Sequence, residues 1–492
     1  MKTRILLLAF CIGLAPAAAR ADVKPHALCS EGMVLQQKSN VNIWGTADNG
    51  EKVTVSFRGK TSTATADANG NWIVAVASGE AGGPFELTIK GNNTIAYKNV
   101  LVGEVWICSG QSNMAQTVNG SDKGDKQTAT TAKHNPMLRM FTVARSPQNK
   151  PQANTTGAWL EAKPETVGGF SAVGYFFGRN LNENRKVPVG LIHTSWGGTR
   201  IEAWTSQSAL KATGLPISPA KGPNVASALY NGMIHPLLNY QVQGAIWYQG
   251  ESNAGQAYKY RTLHPAMIEN WRADFKNPNL AFYFVQLAPF NTVAKQPGES
   301  NWAELREAQT MTLAKLKNTG MAVITDCGDE LDIHPVPKRP IGIRLALAAR
   351  AQTYGEKIVY SGPMYKSAKF GRGQATLSFD HIGGGLVGME IVPTPSARKG
   401  AKNAFAWRVK EGSSTSAPLV GFTVCGKDRV FHNAKAEISG ETVIVSCDKV
   451  DAPIAVRYGW ANHPICNLYN REGLPASPFR TDTFRGITQP KQ

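Results

Sequence analysis

The chain has 492 residues, 42 % of them apolar, enough for about two or three soluble globular domains with sizeable cores. Its 53 Lys and Arg against 35 Asp and Glu leave a net charge of +18, spread singly and not in basic blocks. Scattered charge of this kind reads as a solvated basic surface and argues against a nucleic-acid partner, with attraction of an acidic sugar as a secondary implication.

Lys2 and Arg4, an apolar run over residues 5–14 and Ala19-Arg20-Ala21 have the charged, apolar and small-residue order of a secretory signal. The reading assigns residues 1–21 to that signal, with cleavage after Ala21 and export to a periplasm or the cell exterior. The run is too short to cross a bilayer, and no later segment is apolar over the length of a span. Six cysteines follow the signal without a C-x-x-C pair, so zinc and thioredoxin-type readings have no support. Cys425 and Cys447 lie in strand-like segments of one region and are candidates for a disulfide.

Residues 22–100 predict a small β-sandwich-like domain. Val41 and Ile43, then Val53, Val55 and Phe57, alternate with the period of half-buried strands. Asp48-Asn49-Gly50 and Asn69-Gly70-Asn71 supply turns, and Trp72, Val74 and Val76 resume the alternation. Residues 101–355 change pattern. Apolar strands are predicted over 102–108, 189–193, 245–248, 282–287 and 321–325, with helices over 258–275, 302–316 and 341–354. Strands alternating with helices imply an α/β domain, a parallel sheet with helices on both faces. In such a sheet ligands bind beyond the carboxyl ends of the strands. Residues 356–492 return to β character, with strands near 442–446 and 454–458, and are expected to pack on the α/β domain.

Four loops follow the predicted strands and carry chemistry. Ser112 stands in Gly110-Gln111-Ser112-Asn113-Met114, where a serine is either a nucleophile at a strand-to-helix turn or a helix N-cap. As a nucleophile it offers its own backbone N–H to the developing oxyanion. The paired glycines of Ser195-Trp196-Gly197-Gly198-Thr199-Arg200 either bring a backbone N–H to the same oxyanion or form an ordinary loop. In Gln249-Gly250-Glu251-Ser252-Asn253, Asn253 is a side-chain oxyanion donor or an Asx-turn residue. His334, in Asp332-Ile333-His334-Pro335, is the histidine suited to deprotonate Ser112, and Asp332 to orient it. Read alone, His334 is equally a surface loop residue. Together the four loops converge on one sheet edge and supply a nucleophile, a base, an acid and oxyanion donors, the parts of an acyl-transfer site. Gln111, Arg200 and Glu251 are candidate substrate-binding residues beside them, with Glu251 either anchoring its loop or holding a substrate hydroxyl. The nine histidines include no H-E-x-x-H pattern, and neither metal nor organic cofactor is called for.

This constellation resembles the sialate O-acetylesterase family of the SGNH-hydrolase superfamily. Ser112, Gly197 or Gly198, Asn253 and His334 fall in the superfamily's Ser, Gly, Asn, His order. Gly103-Glu104-Val105-Trp106, Ile201-Glu202-Ala203-Trp204 and Gly473-Leu474-Pro475-Ala476-Ser477-Pro478-Phe479-Arg480 are also similar to that family. The resemblance covers nearly the whole chain after the signal. It implies an SGNH/flavodoxin-like fold and hydrolysis of O-acetyl esters on sialic acids or another acetylated glycan. Many superfamily members place the aspartate three residues before the histidine, where this chain has Leu331; Asp332 lies two before, and Asp329 and Asp326 are further candidates. Alternatives are an acetylesterase acting on plant polysaccharide such as acetylxylan, or a non-catalytic carbohydrate-binding protein, against which intact Ser112, Asn253 and His334 argue.

Overall fold

The structure, a computed structural model, describes residues 22–491 apart from 399, 402 and 414. The expected signal over residues 1–21 lies outside the described residues.

Seven strands form the central sheet: β1 (Thr94–Gly110), β2 (Asn135–Thr142), β3 (Trp159–Ala162), β4 (Val189–Ser195), β5 (Gly244–Tyr248), β6 (Ala281–Val285) and β7 (Thr319–Ala322). Their spatial order is β3-β2-β4-β1-β5-β6-β7. All pair in parallel except the edge strand β3, which runs antiparallel to β2. The apolar runs read as strands are buried along their whole length, as a sheet covered on both faces requires. The strands β2 and β3 were not expected. Arg139 interrupts the apolar pattern of β2, yet it is buried, because Glu161 of β3 pairs with it (3.1 Å) and the Pro136 and Asn99 oxygens accept from it.

Side chains of β1 alternate between two cores. Val105 and Ile107 join one apolar cluster, while Trp106 and Cys108 join another. Trp106 lies at the heart of the second, its ring 5.1 Å from Phe177 and 5.8 Å from Tyr283, with Nε1 donating to the Tyr354 hydroxyl (3.0 Å). The helices α1 (Ser112–Ala115), α2 (Ala172–Arg185), α3 (Ala257–Asp274), α4 (Asn301–Lys315) and α5 (Arg339–Gln352) include the three long ones expected from apolar spacing.

The N-terminal region is β throughout, but no linker separates it from the sheet. The boundary expected at residue 100 falls inside β1, one 17-residue strand. Its first half pairs antiparallel with Gly82–Lys90 and its middle pairs with Val34–Gln36, while its second half is the centre of the parallel sheet. The apolar residues of both regions form a single cluster, from Val41 and Ile43 to Trp247 and Phe282.

The C-terminal region builds two antiparallel four-stranded sheets around a third core. Its seat on the α/β region is polar. Gln286, one residue past β6, donates to Ser477 Oγ (2.9 Å), and Arg480 pairs with Glu307 of α4 (2.7 Å). The six cysteines of residues 22–491 are free thiols, Cys425 and Cys447 included, so the expected candidate disulfide is not formed.

Arg306 of α4 also ties the two regions together. It is fully buried and donates to the carbonyls of Leu287 (2.7 Å), Ala288 (3.1 Å), Ala461 (2.7 Å) and Asn462 (3.0 Å). Burial pushes its pKa down to about 9, so it is still charged at neutral pH. Arg306→Met would remove the guanidinium from all four carbonyls; Trp302 Nε1 still donates to that of Ala288 and the Phe290 N–H to that of Asn462, but those of Leu287 and Ala461 lose their donor. A loss of about 3 kcal/mol or more is expected, read as a lower midpoint in urea denaturation.

Candidate active site

The four loops meet at the carboxyl edge of the central sheet. The turn after β1 is set by Gly110 (φ 137°), where a Cβ would sit 2.1 Å from the Tyr248 carbonyl oxygen. Only glycine lets β1 end that close to β5. The Gln111 N–H then donates to that carbonyl (2.9 Å), and Ser112 opens α1. Gln111, not Ser112, occupies the N-cap position, and it makes no side-chain cap, so the capping alternative for Ser112 does not hold.

Ser112, Gly197, Asp332 and His334 line one open cleft of about 490 Å³, together with Ala115, Gln116, Arg145 and Trp196. A larger hollow of about 1270 Å³ lies against the N-terminal region, lined by Trp44, Trp72 and Tyr240 among others, and contains none of these groups. The two glycines differ in their surroundings. A Cβ on Gly197 would lie 3.2 Å from Ser112 Cβ, so the backbone there abuts the serine. Gly198 (φ 73°) has open space around its Cα and is absent from the cleft lining. Of the two, Gly197 is the one whose backbone reaches the cleft beside Ser112.

Asp332 Oδ1 accepts the His334 backbone N–H (2.8 Å) and lies 3.4 Å from His334 Nδ1. One carboxylate thus shapes the loop and faces the ring. The other two candidate acids are engaged elsewhere. Asp326 holds the Arg344 guanidinium through both oxygens (2.7 and 2.6 Å). Burial pushes its carboxyl up, but Arg344 outweighs that and keeps it below the usual range. Asp329 accepts from the Leu331 and Asp332 N–H groups, Ser396 Oγ and the Ala397 N–H. Among the described residues no hydrogen bond joins Ser112 Oγ to the His334 ring; such contacts are often long in unliganded sites.

Asn253 is 1 % exposed and locked in place. Its Oδ1 accepts from the Ile201 N–H (3.0 Å) and Gln249 Nε2 (2.7 Å), and its Nδ2 donates to Glu202 Oε2 (2.9 Å). Among the described residues its second Nδ2 hydrogen has no acceptor, and Asn253, like Arg200, is outside the cleft lining. The flanking Ile201-Glu202-Ala203-Trp204 segment is thus the cradle that orients Asn253.

Gln111 and Glu251 are placed together, and for Glu251 the contacts fit the loop-anchoring alternative. Neither is part of the cleft lining. With its nitrogen turned to acceptors, Gln111 donates to Glu251 Oε2 (3.2 Å) and the Thr199 carbonyl (3.3 Å). Glu251 Oε1 also accepts from Asn113 Nδ2 (2.6 Å), and burial raises its pKa. Burial makes these polar groups satisfy one another, so they brace loops. Arg200 is half-buried beside the glycines and outside the cleft lining, with its backbone N–H held by Asn224 Oδ1 (2.8 Å).

Sequence reading missed Lys338, Asn113 and Arg145. Lys338 is fully buried and donates through Nζ to Asn113 Oδ1 (2.6 Å), while Asn113 Nδ2 also donates to the Ile333 carbonyl (3.0 Å). The serine turn and the histidine loop are thereby joined through Asn113. Burial pushes the Lys338 ammonium down to about 7, against the pull of Glu251. Arg145 follows the unexpected strand β2. The same edge rule finds it once that strand is recognised.

Residues 102–350 match the family model described as carbohydrate esterase, sialic acid-specific acetylesterase. The Homo sapiens sialate O-acetylesterase is 31 % identical over 91 % of this chain and 90 % of its own length. The Mus musculus enzyme of that name is 31 % identical over 92 % of this chain and 94 % of its own. The crystal structure of a carbohydrate acetylesterase from Xanthomonas citri is 41 % identical, covers 94 % of this chain and all of its own, and has a TM-score of 0.83. Fold and site define a carboxylic-ester hydrolase of the carbohydrate esterase class. The chain belongs to the sialic acid-specific acetylesterase family.

Burial lowers the pKa of His334, Asp332 opposes it, and the Lys338 charge adds to the lowering. The neutral ring is the form that accepts a proton, so this shift extends activity to lower pH. The acid limb of kcat/KM should have an apparent pKa below the ordinary 6.5. A pH–rate profile on a soluble acetyl ester checks it; a limb above that value would contradict the assignment of His334.

Proposed function

We propose that the chain hydrolyses O-acetyl esters on sialic acids through an acetyl-enzyme on Ser112. The observation that carries this is the gathering of Ser112, Gly197, Asp332 and His334 around one cleft. With Nδ1 turned to Asp332, His334 leaves Nε2 to take the Ser112 proton. The serine oxygen attacks the acetyl carbonyl, and the Ser112 and Gly197 N–H groups and the free Asn253 amide hydrogen receive the oxyanion. Collapse breaks the bond to the sugar oxygen, which takes the proton from His334. Water, deprotonated by His334, then attacks the acetyl-serine and releases acetate. Export remains part of the proposal, since residues 1–21 have the pattern of a secretory signal.

Ser112→Ala should lower kcat by about 10⁴- to 10⁶-fold on acetylated sialosides and abolish the acetyl adduct seen by mass spectrometry of quenched enzyme. A panel of acetylated sialosides and acetylxylan tests the substrate class; preferential turnover of the xylan would overturn it. Asp332→Asn removes the charge facing the imidazole and invites the wrong tautomer. A fall in kcat of about 10²- to 10⁴-fold is expected, whereas Asp326→Asn and Asp329→Asn should act mainly on stability. Pre-steady-state acetylation rates separate the three, and a mild effect at Asp332 alongside a severe acetylation defect at either other aspartate would move the acid.

A further inference from the structure

We infer that Arg145 sets substrate specificity by pairing with the carboxylate of the acidic sugar whose acetyl group is removed. The inference rests on the sialic-acid reading above and names the group that recognises its charge.

Arg145 lies three residues beyond β2, at the same carboxyl edge as the four loops, and lines the cleft that holds Ser112 and His334. Its Nε donates to the Ser195 carbonyl (3.4 Å), and its guanidinium carbon stands 5.6 Å from the centre of the Trp196 ring. Ser195 ends β4, and Trp196 precedes Gly197, so the arginine is tethered to the loop that abuts the serine. These contacts hold one edge of the guanidinium and leave its two terminal nitrogens for a ligand.

Arg344 of α5, by contrast, is paired with Asp326. Among the described residues no carboxylate lies within ion-pair distance of Arg145. The acidic group in the cleft lining, Asp332, is engaged with His334. The cleft therefore presents an unpaired cation beside a nucleophile. A planar guanidinium fork matches a carboxylate in two parallel hydrogen bonds, a fit an ammonium lacks. Trp196 adds a flat apolar wall against which a sugar face packs. A volume of about 490 Å³ accommodates a single acidic monosaccharide.

The test measures kcat/KM on an O-acetylated sialic acid and on its methyl ester, whose carboxylate charge is removed, for wild type, Arg145→Met and Arg145→Lys. The ratio of acid to methyl ester is internal to each variant, so differences in folded fraction cancel. The wild type should prefer the acid by about 10-fold, mainly through KM. Arg145→Met should bring the ratio to about 1, and Arg145→Lys should lie between. Added salt should reduce the wild-type preference. A wild type without preference, or Arg145→Met retaining it, overturns the role of Arg145 while leaving the substrate class standing. A wild type that cleaves 4-nitrophenyl acetate but neither sialic acid compound overturns the substrate class and this inference with it.

Discussion

A buried ammonium needs partners, and that need holds the site together. Lys338 has no access to water, so its charge is tolerable only with strong acceptors close by. Asn113 Oδ1 provides one at 2.6 Å, and the Tyr248 ring lies 5.5 Å from Nζ. The amide nitrogen of Asn113 is thereby aimed the other way, at Glu251 and the Ile333 carbonyl. One small side chain so fixes the turn after β1, the loop after β5 and the loop bearing His334. The backbone N–H groups of Lys338 and Arg339 are both held by Asp125 Oδ2, which anchors the start of α5.

The rest of the molecule supports that junction from outside. The histidine loop has little regular structure of its own, and the C-terminal region supplies its restraints. Arg408 donates to the Gly328 carbonyl (2.6 Å), Arg398 to the Leu331 carbonyl (2.7 Å), and Ser396 to Asp329 (2.6 Å). The hairpin of Ile391–Pro395 and Phe405–Val409 thus acts as a splint on the segment between β7 and α5. Half-exposed His334 thus owes its placement to Asp332 beside it in the loop and to the distant groups that restrain that loop.

Much of this was legible from the residues. A strand covered on both faces is an apolar run, and a helix covered on one is an apolar stripe, so β4 to β6 and the three long helices stood out. Ser112, His334 and the glycine pair were legible because chemistry in a parallel sheet collects just beyond strand ends. The strand β2 was not, because Arg139 looks solvent-facing until Glu161 and the Asn99 oxygen are brought to it. Missing β2 concealed Arg145 with it. Gln111 looked like a substrate ligand because polarity in a loop suggests exposure; its burial, and the contact it makes with Glu251, depend on loops meeting, which no local pattern records. The choice among Asp326, Asp329 and Asp332 likewise needed Arg344 and Ser396, which lie outside the loop.

The long central strand has a consequence for how this architecture can be rearranged. Its first half has partners in the N-terminal region and its second half has partners in the parallel sheet. A cut or a recombination joint near residue 100 would separate two halves of one continuous hydrogen-bond ladder and open a shared apolar core to water. The N-terminal β region brings no group to the cleft, yet it is not a detachable module. Any shuffled descendant that keeps the serine turn must also keep, or replace in kind, the strands that precede it.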